Sequence, residues 1–224
     1  MSSFKVLADA EAVATDAAAY IFDQIRNCVD TKGECHVVLP GGTTPARCLE
    51  LLADMPLPWK HIHWYPGDER CYPVGHAERN DTMIIKKLFS GREHSLMNFH
   101  PIPAELGPEQ GAEQFAECIN SAAGIDVVVL GMGEDGHTAS LFPDNPALND
   151  SRSVVPVYNA PKAPKDRISL SLTTLKNAEH CIVIATGANK GEALLNIRNG
   201  QSLPVSMVEP DVWFVDRAAC EPGH

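Results

Sequence analysis

Residues 125–142, IDVVVLGMGEDGHTASLF, gather the side chains best suited to chemistry in this chain. An apolar, β-branched run stops at Gly131, and a loop broken by three glycines in six residues follows. It carries Glu134, Asp135 and His137, then Thr138 and Ser140. A buried parallel strand delivers such a loop to a site at its carboxyl end. The glycines permit a tight turn and close backbone approach to a ligand. His137 is the candidate general base, because an imidazole changes charge near neutral pH. Asp135 either orients that imidazole or bonds loop amides. The other eight histidines (His36, His61, His63, His76, His94, His100, His180 and His224) lack such a frame and read as strand, loop or terminal residues, structural or solvated.

Three further polar loops follow apolar runs. After 35–39 (CHVVL) comes PGGTTP, in which Gly41 and Gly42 allow positive φ and expose N–H groups. Thr44 suits an N-cap there and Pro45 a first helical position. A helix start of this kind favours an anion such as phosphate, and the alternative is an ordinary strand-to-helix turn. After 61–65 (HIHWY) come Asp68, Glu69 and Arg70, either a solvated turn or a site in which Arg70 offers a planar fork to phosphate or an oxyanion. Asn80 opens the next helix and either caps it or faces the site. After 181–185 (CIVIA) comes TGANKG, where Lys190 at a helix start opposes the dipole unless an anion binds; otherwise it is a surface lysine. Arg167 precedes its strand, so it joins this edge only if strand 167–172 runs antiparallel. A serine hydrolase fits poorly, since Ser140 has no GxSxG elbow. HExxH and paired His/Asp metal spacing are absent too.

The elements that must position these groups follow from periodicity. Apolar residues at 10, 13, 14, 17, 21, 25 and 29 predict a helix over 9–29. Further helices are predicted from the PGGTTP loop to about Leu52, over 80–89, over 108–122, and from Gly187 to about Arg198. Strands are predicted at 35–39, 61–65, 125–130, 181–185 and 212–215, with a short one at 153–158. RISLSL at 167–172 alternates as a half-exposed strand does. Alternating strands and helices predict an α/β fold: a doubly wound, mostly parallel sheet with helices on both faces. No composition shift divides residues 1–224, so one domain is expected, with a loop excursion at 141–166 that holds five prolines.

Bulk composition narrows the partners. Hydrophobic residues make up 44% and charged residues 21%, ordinary for a globular chain. The net charge of −11 argues against nucleic acid and anionic membranes. Any anionic ligand must therefore meet a local convergence of the few Lys and Arg. Seven cysteines, an odd number without CxxC spacing, fit neither a disulfide framework nor a zinc site. The first residues form no signal core and no apolar stretch spans a bilayer, so a reducing cytoplasm is the expected location.

At these residues the chain resembles the 6-phosphogluconolactonase family, related in fold to glucosamine-6-phosphate deaminase and ribose-5-phosphate isomerase. The resemblance rests on LPGGTTPARCLELL at 39–52, YPGDERCYP at 65–73 with Asn80 beyond, DVVVLGMGEDGHTASLFP at 126–143 and TGANKGEALL at 186–195. It implies a cofactor-independent hydrolase, with no metal, that opens 6-phosphoglucono-1,5-lactone to 6-phosphogluconate in the pentose phosphate pathway. His137 would activate water, and phosphate and sugar contacts would come from Gly41, Gly42, Thr43, Thr44, Asp68, Arg70, Arg167 and Lys190. An oxyanion would be met by glycine-loop N–H groups or Arg70. Two positions depart from the family pattern: Thr43 replaces a common serine, and Arg79-Asn80 replaces Ser-Asn, which puts Arg79 in doubt as a site residue. The partner would be a small phosphosugar lactone, bound by a monomer or homodimer. Two other readings remain: a hexose-6-phosphate isomerase or amino-sugar deaminase, which needs a further carboxylate, and a non-catalytic sugar-phosphate sensor.

Overall fold

The computed structural model describes residues 3–221; His224 lies outside them. In chain order the elements are β1 (Ser3–Leu7), α1 (Ala10–Lys32), β2 (Cys35–Leu39), α2 (Thr43–Ala53), β3 (Ile62–Pro66), β4 (Asp68–Arg70), α3 (Asn80–Leu88), α4 (Pro108–Ser121), β5 (Val127–Gly131), β6 (Val154–Val157), β7 (Arg167–Leu170), α5 (Leu172–Lys176), β8 (His180–Ala185), α6 (Gly191–Arg198), α7 (Pro204–Met207), β9 (Val212–Asp216) and α8 (Arg217–Cys220). Six strands form a sheet in the order β1-β9-β8-β5-β2-β3, every neighbouring pair parallel. Three more form an antiparallel sheet, β4-β7-β6.

Local chemistry explains the long elements. Asp9 caps α1, its Oδ1 accepting the Ala12 N–H at 2.9 Å, and Gly33 ends the helix in the left-handed region at φ 88°. The buried stripe of α1 (Val13, Ala14, Ala17, Ala18, Ile21, Ile25 and Cys28) packs with α2 and α3 over one face of the large sheet. The small sheet and α4 cover part of the other face, sharing a core with Val128, Leu130 and Val183. Strands β2, β5 and β8 are mostly apolar and buried, as a parallel sheet covered on both faces requires, with His36 the buried polar exception in β2.

Several expectations are corrected. β1 was not foreseen: SFKVL is largely exposed and carries no period that marks a strand, and its parallel pairing with β9 creates it. Asp68, Glu69 and Arg70 are not a loop but a strand, paired with Ser169, Ile168 and Arg167. Strands and helices therefore do not alternate throughout. Strand 167–172 is not half-exposed; Arg167–Leu170 is buried at every residue, because its apolar side meets α4 and its polar side turns into the protein. Gly111 of α4 makes that approach possible, since a Cβ there would stand 2.4 Å from Ile168 Cδ1 and 2.7 Å from the Pro103 carbonyl. Thr44 is not an N-cap: Gly42 holds that position at φ 99° and the helix begins at Thr43. His61 lies in a 3-10 turn before β3, not in the strand.

Candidate active site

The parallel register carries the loops after β2, β3, β5 and β8 to one sheet edge. There they enclose a cavity of about 500 Å³. Its lining includes Gly41, Gly42, Thr43, Thr44, Asp68, Arg70, His137, Arg167 and Lys190. Arg167 arrives because β7 runs antiparallel, although in the small sheet rather than the large one.

The glycine loop is built around its histidine. Thr138 Oγ1 donates to the Gly131 carbonyl at 2.8 Å, and the Gly133 N–H donates to the His137 carbonyl at 2.8 Å. Asp135 Oδ1 accepts the His137 N–H at 3.1 Å and lies 2.5 Å from His137 Nδ1. The two alternatives for Asp135 thus both occur: it bonds a loop amide and engages the ring. Burial favours protonation of Asp135, but the hydrogen bonds and charge of His137 outweigh it and hold its carboxyl down at about 2. A side chain at Gly133 would put a Cβ 2.0 Å from His137 Nδ1, so glycine is a steric necessity for this pair. Asp135 does not line the cavity; it stands behind the imidazole, and Nε2 is the ring nitrogen without a hydrogen-bond partner among the described residues. Phe142 packs on the His137 ring at 4.5 Å, and the Arg167 guanidinium lies over Phe142 at 5.5 Å.

Asp68 is buried with both oxygens engaged, Oδ1 by Asn80 Nδ2 at 2.9 Å and Oδ2 by Ser140 Oγ at 2.5 Å. Asn80 therefore faces the site rather than capping its helix. Its amide also donates to the Asp68 carbonyl at 2.8 Å. Gly41 matters for this reason and not for positive φ, which only Gly42 of the pair adopts; a Cβ at Gly41 would fall 2.0 Å from Asn80 Oδ1. The start of α3 is held by Glu69, which accepts N–H groups of Arg70, Asn80 and Asp81, each at 2.8 Å. Glu69 is fully buried, and burial pushes its carboxyl up to about 7 despite these bonds.

The cations differ in what they have free. Arg70 Nη1 donates to the Glu78 carbonyl at 2.5 Å, while its Nε is buried without a partner among the described residues. Arg167 donates to the carbonyls of Lys162, Ala163 and Pro164 at 3.1–3.2 Å, and burial lowers its pKa. Burial likewise lowers that of Lys190, whose ammonium has Glu134 and Lys162 as charged neighbours. Arg79 lies outside the cavity: it is buried in bonds to Asp81, Glu105 and the carbonyls of Tyr72 and Ile102. The doubt over Arg79 resolves toward structure.

Sequence reasoning missed Lys162, Thr186 and Asn189 as cavity residues. Thr186 Oγ1 pairs with Thr44 Oγ1 at 2.8 Å, and Asn189 Nδ2 donates to Glu134 at 2.8 Å. The last two stood beside Lys190 in the quoted TGANKG motif; Lys162, within the proline-rich excursion, gave no signal.

The chain is similar to known proteins along nearly its whole length. A curated 6-phosphogluconolactonase of Synechocystis is 31% identical over 96% of this chain and 96% of its own length. One from Nostoc is 30% identical over 96% and 95%. The crystal structure of 6-phosphogluconolactonase from Thermotoga maritima superposes with a TM-score of 0.89, at 29% identity, over 97% of this chain and all of that one. The family model described as glucosamine-6-phosphate isomerases/6-phosphogluconolactonase matches residues 8–215, the span that holds every loop of the cavity, and the chain belongs to that family.

Proposed function

We propose that this chain hydrolyses 6-phospho-D-glucono-1,5-lactone to 6-phospho-D-gluconate, a step of the oxidative pentose phosphate pathway, with His137 as general base. One observation carries the reading: His137 stands in a cavity wall with Nδ1 held by Asp135 at 2.5 Å. A carboxylate on Nδ1 fixes the tautomer that leaves Nε2 as the acceptor, and it stabilises the imidazolium that forms. Nε2 takes a proton as water attacks C1 of the lactone. The oxyanion meets N–H groups of the glycine loop or the guanidinium of Arg70, a residue of the cavity lining. The ring oxygen leaves and is reprotonated by the same imidazolium.

Phosphate binds at the start of α2, against the N–H groups after Gly42 and the cations Arg167 and Lys190. Its binding energy orients C1. The small acceleration that a reactive ester requires is within reach of one base and good positioning. Isomerase or deaminase chemistry needs a second carboxylate free to carry a proton between C1 and C2. Asp68 is a poor carrier, because both its oxygens are already bonded. The three relatives described above are each named 6-phosphogluconolactonase, which favours the same side.

The chain acts as one domain, since both sheets contribute to a common core. Seven unpaired cysteines suit a reducing compartment such as the cytoplasm, and no described helix is long and apolar enough to cross a membrane. Monomer and homodimer both suit a cavity built from one chain.

The test is a pH-stat assay with fresh lactone, corrected for spontaneous hydrolysis. His137→Ala should lower kcat by about 10²–10⁴-fold with KM little changed. Asp135→Asn should lower kcat as well, by mispositioning the ring. Wild-type turnover in His137→Ala would remove the base from this account, and exchange of the C2 proton with heavy water would favour the isomerase.

A further inference from the structure

Hydrogen bonding holds the His137 ring at one atom. Asp135 fixes Nδ1 at 2.5 Å, and a bond at one atom leaves the plane of the imidazole free to tilt. The chain supplies a second constraint five residues on. The Leu141 N–H donates to the Thr138 carbonyl at 2.9 Å, and Ala139 takes φ 49°, so the segment after His137 turns back on itself. Positive φ is costly for a residue with a Cβ, and such strain collects where a site needs one particular geometry. The turn returns Phe142 to His137, with ring centroids 4.5 Å apart and planes inclined by 41°. Phe142 is buried and forms part of the cavity wall. Arg167 rests over the same ring, its guanidinium carbon 5.5 Å from the centroid, and its bonds to the carbonyls of Lys162, Ala163 and Pro164 keep it there.

We propose that Phe142 is a positioning residue for His137: its ring sets the plane of the imidazole, and its π face stabilises the imidazolium formed when Nε2 takes a proton. The role rests on His137 acting as the general base. Asp135 and Phe142 then act on different properties of one side chain. The carboxylate selects the tautomer, and the phenyl ring selects the orientation.

A cation within about 6 Å of an aromatic centroid is attracted by the negative face of the ring. The His137 ring lies inside that distance. Neutral imidazole carries no net charge and gains little, so the attraction arrives with the transferred proton. An interaction made only as charge develops raises kcat, whereas one made equally in both states does not. Cation–π attraction is worth about 2–30-fold in a rate or equilibrium constant, the larger values applying where water is excluded. An aliphatic side chain of similar volume could set the plane, but only an aromatic face supplies this attraction. Arg167 is a second cation on that ring, and a phosphate bound to it offsets its repulsion of the imidazolium. Phe142 thus touches both a group assigned to phosphate and the group assigned to the proton.

The experiment compares the full-length wild type with Phe142→Leu and with a chain carrying trifluorinated phenylalanine at position 142. Fluorination drains the negative face of the ring and leaves its shape nearly unchanged. Two quantities are read: kcat and KM for the phosphorylated lactone, and the pH at which the His137 ring resonances titrate by NMR in the substrate-free protein. The fluorinated chain should keep KM within about 2-fold, lose about 3–10-fold in kcat, and titrate at lower pH than the wild type. Phe142→Leu should lose about 10-fold or more in kcat, since both the face and the fixed plane are gone. Wild-type kcat in Phe142→Leu would overturn the proposal. So would a fluorinated chain whose His137 titrates where the wild type does, which would reduce Phe142 to packing. The NMR titration uses no substrate, so it still tests Phe142 if the wild type fails to turn over the lactone, a result that would sink the assigned reaction instead.

Discussion

Substituting Gly41 by alanine isolates the part of the site that depends on close approach alone. Gly41 does not occupy the left-handed region, so the backbone tolerates alanine and the whole effect is steric. The new Cβ would lie 2.0 Å from Asn80 Oδ1, 2.5 Å from its Cγ and 2.9 Å from its Nδ2, so the amide must leave its place. Moving it breaks the bonds to the Asp68 carbonyl and carboxylate at 2.8 and 2.9 Å, in a pocket where Asn80 is 3% exposed. An unsatisfied buried polar group costs about 1–3 kcal/mol, and overpacking costs a similar amount where nothing relaxes. Because displacement relieves the overlap, the two costs substitute for each other in part, and about 2–4 kcal/mol of stability is lost. The three atoms nearest the Cβ all belong to the Asn80 side chain beyond its own Cβ. In an Asn80→Ala background, Gly41→Ala should therefore cost below about 1 kcal/mol, because the obstruction is gone. Urea unfolding of the four proteins closes the double-mutant cycle, with an expected coupling near 2 kcal/mol. Additivity within about 0.5 kcal/mol would refute the account, since it would mean that the two residues do not share this space.

Lys190→Ala should raise KM for the phosphorylated lactone with less effect on kcat, and Lys162→Ala should do so more weakly because its ammonium rides on a loop; steady-state kinetics separates the two parameters. If an unphosphorylated lactone were turned over equally well by the wild type, the phosphate site would be misplaced. Glu69 makes stability depend on pH: its carboxyl is raised to about 7 when folded against an ordinary 4.5, so its favourable contribution is complete below about 4.5 and is lost as pH rises through about 7. Unfolding midpoints measured from pH 5 to 8 should fall in the wild type, and the slope should flatten in Glu69→Gln; parallel profiles would discount the buried carboxyl. Gly111→Ala should destabilise by about 1–3 kcal/mol, because the Cβ meets Ile168 and the Pro103 carbonyl, and the latter is backbone that cannot swing away; denaturant melts check this.

Local pattern carried much of the architecture. The α1 stripe, the apolar runs of β2, β5 and β8, and the glycine breaks after them are properties of consecutive residues, and in a parallel sheet they place His137, Lys190 and the Gly41–Thr44 loop on one edge. The histidine was legible because its own neighbours, Gly133 and Asp135, build its environment within five residues. Partners separated along the chain were not legible. Nothing in sequence joins Ser140 to Asp68, 72 residues away, or shows that Arg167 is tied to the carbonyls of its own loop. Lys162 reaches the cavity only because β6 and β7 fold its loop over the site.

By itself the sequence determined the parallel α/β scheme and the chemical content of its loops, because burial of periodic apolar faces and glycine-enabled turns are local physics. Tertiary structure decided which of those groups meet. It made Asp68–Arg70 a strand by pairing it with β7 and made Gly41 a matter of space for Asn80. It also set His36 beside His63 through the register of two strands 27 residues apart. Strand pairing and side-chain packing act across distances in the chain that no local pattern records.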